Sequence, residues 1–266
     1  MTPPGFRSRV DMTFIGTATA IISIDGVNFI TDPVFDNVGT TYDLGILTLE
    51  SLKAPALGLH EIPAIDAVLL SHEDHPDNLD TAGRTLLDGR LVVTTPDGAN
   101  NLKPRPAVHP ILPWQTLPLS IGGKKFDITG TPCVHLPGGE TTGFIIHTES
   151  FGMSAEGLPN AIYFSGDTIY LEELGQMRKK FHVVLAIINL GGVVISLPSG
   201  PVQITLDGKS AVRLIQDIGA DLVVPIHFDS WKHFKEPSTE SKRTFEEAGL
   251  KDKVIWLEPG VAKRVL

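Results

Sequence analysis

The sequence predicts an α/β (α+β) protein in which two mixed β-sheets pack face to face, with helices on the outside. Strand-like segments and helices follow one another through the first part of the chain, and the same order returns in the second part. The runs 183–190 and 221–226 are almost entirely apolar, which is typical of strands buried on both faces. No Gly-x-Gly-x-x-Gly loop follows a strand, so the pattern does not favour a doubly wound sheet.

Three short strands open the chain. They cover residues 10–14, 20–24 and 27–30, and Asp25-Gly26 is a favourable two-residue turn between the second and the third. Asp32 follows the third strand and is either a turn former or a side chain buried near a functional site. Its residue type in this position favours the turn.

The later elements alternate between strands and helices. The predicted strands span 64–70, 91–95, 124–129, 131–135, 142–148, 161–165, 183–190, 221–226 and 254–257. The predicted helices span 81–88, 96–102, 171–179, 205–218 and 238–248. Residues 34–63 are different, because apolar side chains are scattered there among Gly, Thr and Pro without clear periodicity. Such a stretch is either a lid over a partly apolar pocket or a surface loop with a small core of its own.

Composition and charge limit the classes of function. The chain has 266 residues, 42% of them hydrophobic, a formal net charge of −9 and a pI of about 5.4. It has no cluster of Lys and Arg, so we expect neither nucleic acid nor an anionic membrane surface as a partner. A single cysteine, no signal-peptide pattern and no apolar run of about 18–20 residues predict a cytoplasmic protein without stable membrane insertion.

The densest group of potential metal ligands lies in the loop 71–80, between a predicted buried strand and a predicted helix. The candidate ligands among its side chains are His72, Glu73, His75, Asp77, Asn78 and Asp80. Zinc prefers imidazole nitrogen and carboxylate oxygen at about 2.0–2.2 Å, usually from four ligands. The loop therefore predicts a metal site, rather than a polar segment that only caps the helix.

Three more polar side chains follow predicted strands, namely His135, Asp167 and His227. Strand ends at one edge of a sandwich can meet in space although they are far apart in sequence. Together with the loop 71–80, they predict one shared site for a divalent cation. Cys133, two residues before His135, is interpreted as a core residue.

These residues resemble the motifs of the metallo-β-lactamase superfamily of metal-dependent hydrolases. Within it, the chain is similar to the branch of ascorbate-6-phosphate lactonase and N-acyl phosphatidylethanolamine phospholipase D. The matching segments are Gly-Thr-Ala-Thr at 16–19, Thr-Asp-Pro at 31–33, the loop 71–80, His135, Ser-Gly-Asp-Thr at 165–168 and Pro-Ile-His at 225–227, with a His-x-x-x-Trp-x-His-Phe ending at 227–234. The resemblance extends over residues 10–260, so it implies a single domain spanning 1–266 and a four-layer αββα sandwich of the metallo-β-lactamase type.

The loop departs from the usual family pattern, which is His-x-His-x-Asp-His followed by Leu-Asp. Alignment on Leu79-Asp80 places Glu73, His75, Asp77 and Asn78 on the four motif positions, with His72 displaced by one inserted residue. The variant Ser-His-acid-x-His-x-Asp-Asn-Leu-Asp looks like that of a known subgroup.

The resemblance implies one or two bound ions. His75 and His135 would bind the first ion, and either His72 or Glu73 would complete that centre. Zinc is the expected ion, with manganese and iron as alternatives.

The second centre is less complete in this sequence. Asp167 would bridge the two ions and Asp77 and His227 would bind the second, but Asn78 is a weak neutral ligand in the place of a histidine. With a single ion, Asp77 would be free to act as a general base on the metal-activated water.

Two other polar residues near the motifs have open roles. His233 is a candidate for substrate contact or oxyanion stabilisation, and the alternative is a surface histidine beside a buried Trp231. Glu140, in the turn after His135, is either a metal or substrate ligand or a solvated loop charge, and the second interpretation is favoured.

Together these features predict a metal-dependent hydrolase that uses a metal-activated water on an ester, lactone or related carbonyl bond of a small, partly apolar substrate. A phosphodiesterase of the same fold is the alternative enzyme. It would need a cationic pocket, for which Lys232 and Arg84 are the nearest candidates. A non-catalytic scaffold that binds a metal, a ligand or a partner is the third interpretation, supported by Asn78 and the shifted His72. The sequence leaves open whether the chain forms a homo-oligomer.

Overall fold

A computed structural model describes residues 5–45, 47–136 and 138–266. Ile46, in the segment 34–63, and Pro137, in the turn after His135, lie outside the described residues. Within the described ranges, no helix is both long and apolar enough to cross a membrane.

The described part of the chain forms seventeen strands and four α-helices. The strands are β1 (Val10–Gly16), β2 (Thr19–Ile24), β3 (Val27–Thr31), β4 (Thr41–Asp43), β5 (Thr48–Glu50), β6 (Ala67–Leu69), β7 (Leu91–Thr94), β8 (Val108–Pro110), β9 (Thr116–Ile121), β10 (Lys124–Pro132), β11 (Thr142–His147), β12 (Asn160–Phe164), β13 (His182–Asn189), β14 (Val194–Leu197), β15 (Gly200–Gln203), β16 (Leu222–Ile226) and β17 (Lys263–Arg264). The helices are α1 (Thr81–Leu86), α2 (Pro96–Asn101), α3 (Gly208–Ile218) and α4 (Ser238–Glu247), and 3₁₀ turns cover Glu149–Phe151 and Glu172–Lys179.

Two large mixed sheets organise these strands. The first has the order β17-β1-β2-β3-β6-β7-β8, antiparallel as far as β3 and parallel beyond it. The second has the order β16-β13-β12-β11-β10-β9, with β16, β13 and β12 parallel and the remainder antiparallel. The predicted hairpin turn at Asp25-Gly26 is confirmed, and both of its residues have positive φ, 50° and 87°.

The main core lies between the two sheets. Phe29 of β3 and Phe126 of β10 meet edge to face there, with ring centroids 5.0 Å apart. Along β13, Leu185 points into this core, whereas its neighbour Ala186 packs with α3 on the opposite face. This two-sided burial explains the continuous apolar run at 183–190. Because α1 covers the outer face of the first sheet, the layers are αββα, and the predicted fold class is confirmed.

Two of the strand predictions are wrong. The segment 254–257 is not a strand and makes a single bridge, from Val254 to Val223 of β16 in the second sheet. The last strand of the chain is β17, which lies at the edge of the first sheet. The predicted strands 124–129 and 131–135 are the single strand β10, which runs through Gly130 because the missing side chain admits the Leu112 backbone. His135 therefore stands in the loop beyond that strand.

Two hairpins without a clear sequence signal stand beside the sandwich. The hairpin β4–β5 forms within the segment 34–63, and β14–β15 follows β13. Leu47, just before β5, packs against two apolar clusters. One contains Leu49 of β5 and Trp231, and the other contains Ile195 of β14. The two hairpins therefore approach each other over the edge of the sandwich where the polar strand ends lie. The predicted helix at 171–179 is a 3₁₀ segment.

Candidate metal centre

The loop 71–80 starts where β6 ends and leads directly into α1. Asp80 caps that helix, because its Oδ1 accepts a hydrogen bond from the Gly83 amide at 2.6 Å. Its Oδ2 accepts another from the Phe35 amide at 2.6 Å, which ties the loop to the segment after β3. Asp80 is therefore a structural residue, and the other donors of the loop are free to face the strand ends.

Three histidines converge at this edge of the sandwich. Nε2 of His72 lies 2.9 Å from Nδ1 of His75, and Nε2 of His135 lies 3.3 Å from the same Nδ1. Nitrogen ligands at about 2.0–2.1 Å from a tetrahedral zinc are about 3.3 Å apart, so these separations suit one ion. His72 is 1% exposed and His135 is 8% exposed, which holds the ring nitrogens away from bulk water.

Hydrogen bonds on the far side of two rings set their tautomers. His135 donates from Nδ1 to the Ile204 carbonyl at 2.7 Å, so its Nε2 carries a lone pair. Burial lowers the pKa of His135. Burial, with His75 and His135 nearby, holds the pKa of His72 well below its usual value. Both rings are therefore neutral imidazoles at neutral pH, the form that binds a metal.

Asp32 organises the loop from behind. It is fully buried and accepts hydrogen bonds from the Ser71 amide at 2.7 Å, the Ser71 hydroxyl at 2.7 Å and the Asn78 side chain at 3.1 Å. Nδ1 of His72 lies 2.8 Å from the same hydroxyl oxygen, so it donates to Ser71 and leaves Nε2 free. Burial raises the pKa of Asp32 to about 8, although the Ser71 and Asn78 hydrogen bonds act in the opposite direction, so the ionised carboxylate that accepts all three hydrogen bonds predominates above about pH 8. The interpretation of Asp32 as a turn former is wrong; the alternative, a buried group near the site, is correct.

Glu73 is not placed as a ligand of the first centre. Its Oε2 pairs with Arg84 at 2.8 Å, and its Oε1 accepts from Asn101 at 2.8 Å. Both carboxylate oxygens are thus occupied by helices α1 and α2. The structure brings His72, not Glu73, together with His75 and His135.

Asn78 also faces away from the cavity described below. Its side-chain amide donates to Asp32, and its Oδ1 is buried without a hydrogen-bond partner. The hydrogen bond to Asp32 holds the amide nitrogen at the back of the loop, and Asn78 does not line the cavity, so its role as a ligand of the second centre stays a prediction.

Four other predicted side chains form two buried pairs beside the histidines. Asp77 Oδ2 lies 3.2 Å from Nε2 of His233, and Asp167 Oδ2 lies 3.4 Å from Nε2 of His227. Asn189, which the sequence did not indicate, donates to Asp167 Oδ1 at 2.7 Å. The interpretation of His233 as a surface histidine is wrong, since it is 6% exposed.

The two carboxylates stay ionised despite their burial. Burial alone would raise the pKa of Asp77, but the hydrogen bond and charge of His233, together with His75 and His227, hold the pKa below its usual range. Burial likewise opposes the ionisation of Asp167, and His227, His135 and His72 lower its pKa overall. Asp167 contacts His227 and lines the same cavity floor as His75 and His135.

Glu140 and Cys133 have roles outside the chemistry. Glu140 is exposed and accepts a hydrogen bond from the Asp97 amide at 2.8 Å, near the start of α2. Burial raises the pKa of the Cys133 thiol to about 12, and the thiol donates to the Ser165 carbonyl at 3.4 Å. Neither residue supplies a nucleophile or a metal ligand here.

An apolar cavity opens over the polar strand ends. It encloses about 410 Å³, its mouth included. Its floor carries His75, Asp77, His135, Asp167, His227 and His233. Its walls are aliphatic: Leu44, Leu47, Leu49, Leu136, Val193, Ile195 and Ile204. Among the described residues that line it there is no lysine or arginine. The segment 34–63 thus supplies one wall, in agreement with its interpretation as a lid.

Two mixed sheets, outer helices and a histidine centre at the strand ends define the class of proteins with the metallo-β-lactamase fold. The family model described as "Beta-lactamase superfamily domain" matches residues 27–228, and the chain belongs to that superfamily.

Relatives of this chain fall into two groups by length. An uncharacterized protein of Mycobacterium tuberculosis (strain ATCC 25618 / H37Rv) is 26% identical over 246 residues, which cover 88% of this chain and 62% of that protein. This chain thus spans less than two thirds of that relative. A UPF0173 metal-dependent hydrolase of Methanopyrus kandleri is 24% identical over 272 residues, which cover 94% of this chain and 97% of that protein.

Solved structures share the fold at low sequence identity. An isothiocyanate hydrolase from Delia radicum gut bacteria has a TM-score of 0.76 at 19% identity, covering 95% of this chain and 98% of that chain. A metallo hydrolase from the archaeon Ignicoccus hospitalis has a TM-score of 0.73 at 20% identity, and the match covers 97% of this chain and 99% of that chain.

Proposed function

We propose that this chain is a metal-dependent hydrolase that cleaves an ester, lactone or related carbonyl bond in a small, apolar substrate. The observation that carries the proposal is the cluster of three histidines, two of which, His75 and His135, lie at the floor of a cavity whose walls are aliphatic. Membership of the superfamily and the metal-dependent hydrolase name of the Methanopyrus kandleri relative support the reaction class.

The residues present fit a divalent cation. Lone pairs on Nε2 of His72 and of His135 face the same Nδ1 of His75, which can donate to only one of them. These three side chains would hold the ion, with zinc as the first expectation. A bound ion supplies two effects, a lowered pKa of a coordinated water and polarisation of the substrate carbonyl.

The other polar residues can orient substrate and handle protons. Asp77 is ionised and lines the cavity, so it can accept a hydrogen bond from the attacking water and orient it, while its lowered pKa makes it a weak base. His233 lies next to it and can donate a hydrogen bond to an oxygen of the substrate. The aliphatic walls bind the apolar part and exclude water from the reacting bond.

A phosphodiesterase is less well supported by the cavity. Lys232 pairs with Glu50 at 2.6 Å and is exposed, and Arg84 pairs with Glu73. Neither of these cations lines the cavity, whereas a phosphodiester carries a negative charge that favours cationic contacts. We therefore expect slower turnover of phosphodiesters than of carbonyl substrates, and a phosphodiester is included in the test below for comparison.

An isothiocyanate is a second candidate substrate. It is small, carries no charge and presents an electrophilic carbon, which suits the same aliphatic walls and the same floor of histidines and carboxylates. The name of the structural neighbour from Delia radicum gut bacteria supports its inclusion.

Metal removal and a substrate panel test the proposal. Protein stripped with a chelator and then reloaded with zinc, manganese or iron(II) would be assayed on p-nitrophenyl butyrate, an aliphatic lactone, phenyl isothiocyanate and bis-p-nitrophenyl phosphate. We expect ester or lactone turnover that falls to the background rate after chelation and returns with one of the metals. Turnover of the isothiocyanate alone would select the second candidate, and turnover of the phosphodiester alone would contradict the carbonyl assignment. Binding of a ligand by metal-free protein, without turnover of any substrate, would support the interpretation as a non-catalytic binding scaffold.

Leu47 should affect substrate binding more than the chemical step. It lines the cavity and packs against the clusters around Trp231 and Ile195. Leu47→Ala removes apolar contact that the ground state and transition state share, so we expect KM for the most apolar substrate to rise about tenfold, with little change in kcat. Val38→Ala, in the same segment but 61% exposed, is the control that should leave KM unchanged. A fall in kcat at constant KM would contradict this role of the wall.

A further inference from the structure

We propose that His233 supplies the imidazole that the loop lacks at position 78, as a ligand of the second divalent cation that the superfamily resemblance implies for Asp77, Asp167 and His227. The inference rests on the proposed function, because the neighbouring ion would occupy the centre of His72, His75 and His135. It assigns His233 as a metal ligand, a role that the sequence did not suggest; with the second ion bound, Asp77 and His233 would bind that ion instead of contacting the water and the substrate directly.

The first argument is an unfavourable contact between His227 and Asp167. His227 donates from Nδ1 to the Leu190 carbonyl at 3.0 Å, which leaves Nε2 as the nitrogen available to a ligand. Nε2 lies 3.4 Å from Asp167 Oδ2 and makes no hydrogen bond. A buried polar atom without a partner is unfavourable, and a cation bound between the two atoms would satisfy both. His227 is 1% exposed, so bulk water does not relieve the contact.

His233 shows a similar deficit. Its Nδ1 is buried and has no hydrogen-bond partner, while Nε2 lies 3.2 Å from Asp77 Oδ2. A buried imidazole with one unpaired nitrogen and a carboxylate beside the other is a common setting for a metal ligand. His233 also lines the same cavity floor as the other three side chains.

The balance of charge favours a cation in the same place. Asp77 and Asp167 are 6% and 1% exposed. Among the described residues that line the cavity there is no Lys or Arg side chain to pair with them. Buried carboxylates need a paired positive charge, and imidazole together with carboxylate is a preferred donor set for zinc.

The backbone holds His233 in place independently of the loop 71–80. Its turn is closed by a hydrogen bond from the Phe234 amide to the Trp231 carbonyl at 3.2 Å. The Lys232 amide donates to the Glu50 carbonyl at 3.0 Å, and the Trp231 indole donates to Thr17 Oγ1 at 2.9 Å. The His233 ring is thus delivered to the cavity from a separate part of the fold, while Asn78 is turned toward Asp32.

Zinc stoichiometry tests this assignment without an activity assay. Stripped protein would be titrated with zinc by calorimetry, and the zinc retained after desalting would be measured by elemental analysis. The variants are His233→Ala, His233→Gln, Asn78→Ala and, as a control, His109→Ala, which changes a half-buried histidine on the edge strand β8. His233→Gln keeps a hydrogen-bond donor for Asp77, so it separates ligand loss from misfolding if the alanine variant does not fold.

We expect about two zinc ions per chain in the wild type, in His109→Ala and in Asn78→Ala, and about one in both His233 variants. Two ions in a folded His233 variant would overturn the proposal, and the additional loss of one ion in Asn78→Ala would assign the ligand to Asn78. One ion in the wild type would overturn the second centre while leaving the proposed hydrolase intact. If the wild type bound no zinc, the result would contradict both the second centre and the proposed metal-dependent hydrolase.

Discussion

Replacing His135 by alanine is expected to abolish metal-dependent turnover. The side chain contributes one of three ring nitrogens that converge within 4.8 Å of one another, and its hydrogen bond to Ile204 orients that nitrogen. Loss of a residue that merely orients a ligand typically costs about 10–100-fold in metal affinity or activity. Loss of the ligand itself should therefore exceed about 100-fold in zinc affinity, with kcat/KM at the background rate.

Two measurements and one control distinguish this result from simple misfolding. Zinc at about 100 times its dissociation constant should raise the free energy of unfolding of the wild type by about 2.7 kcal/mol. We expect the gain that comes from the first centre to disappear in His135→Ala, while any gain from an ion in the second centre remains. His147→Ala is the control, because His147 also donates from Nδ1 to a backbone carbonyl, that of Asn160 at 2.9 Å, but does not line the cavity. If His135→Ala kept the whole zinc-dependent gain in stability and both zinc ions, the histidine centre would not be a zinc site.

Replacing Asp32 should give the largest effect outside the cavity. In Asp32→Ala, three buried donors lose their acceptor, two on Ser71 and one on Asn78. Each unsatisfied buried donor costs about 1–3 kcal/mol, so the free energy of unfolding should fall by about 3 kcal/mol or more. Urea unfolding of metal-free protein measures this change. A loss below about 1 kcal/mol would contradict the role of Asp32 as the organiser of the loop.

Asp32→Asn tests the connection from Asp32 to the metal. An asparagine amide would donate to the Ser71 hydroxyl, which would then donate to Nδ1 of His72. That reversal moves the His72 proton to Nε2, the nitrogen that faces His75. Above about pH 8, where Asp32 is ionised in the wild type, we expect zinc affinity at the first centre to fall about 10–100-fold. Asp66→Asn, which changes a carboxylate that accepts one amide hydrogen bond from Asn28 at 2.8 Å, should leave the affinity unchanged. Unaltered zinc binding in Asp32→Asn would show that Ser71 does not relay the effect.

Local patterns were sufficient for most of the architecture. Alternation and turn chemistry predicted β1, β2 and β3 with their hairpin, because these signals act over a few residues. The same reasoning was wrong at 254–257, where a short apolar run makes a single bridge beside β16. The hairpin β4–β5 was not predicted, because distant residues stabilise it. Its side chains pack against Trp231, and Ser51, directly after β5, forms a backbone bridge with Trp231. Local periodicity does not encode such contacts.

The direction of individual side chains depended on distant partners. Glu73 is drawn away from the histidines by Arg84 and Asn101, and neither pairing could be recognised before α1 and α2 were packed. Asn78 turns toward Asp32, which lies on a segment far away in the sequence. Leu47 and Ile195 reach the same cavity only because two hairpins meet over it.

The sequence by itself determined the fold class, the donor types and their positions after strands, because each of these follows from residue identity and short-range periodicity. Only the tertiary structure decided that His72 rather than Glu73 joins His75 and His135, that Asp32 sits behind the loop, and that His233 faces Asp77. The physical reason is that a buried polar group takes the direction in which its hydrogen bonds are satisfied. Those partners are brought within reach only when the two sheets and the loops between their strands pack together.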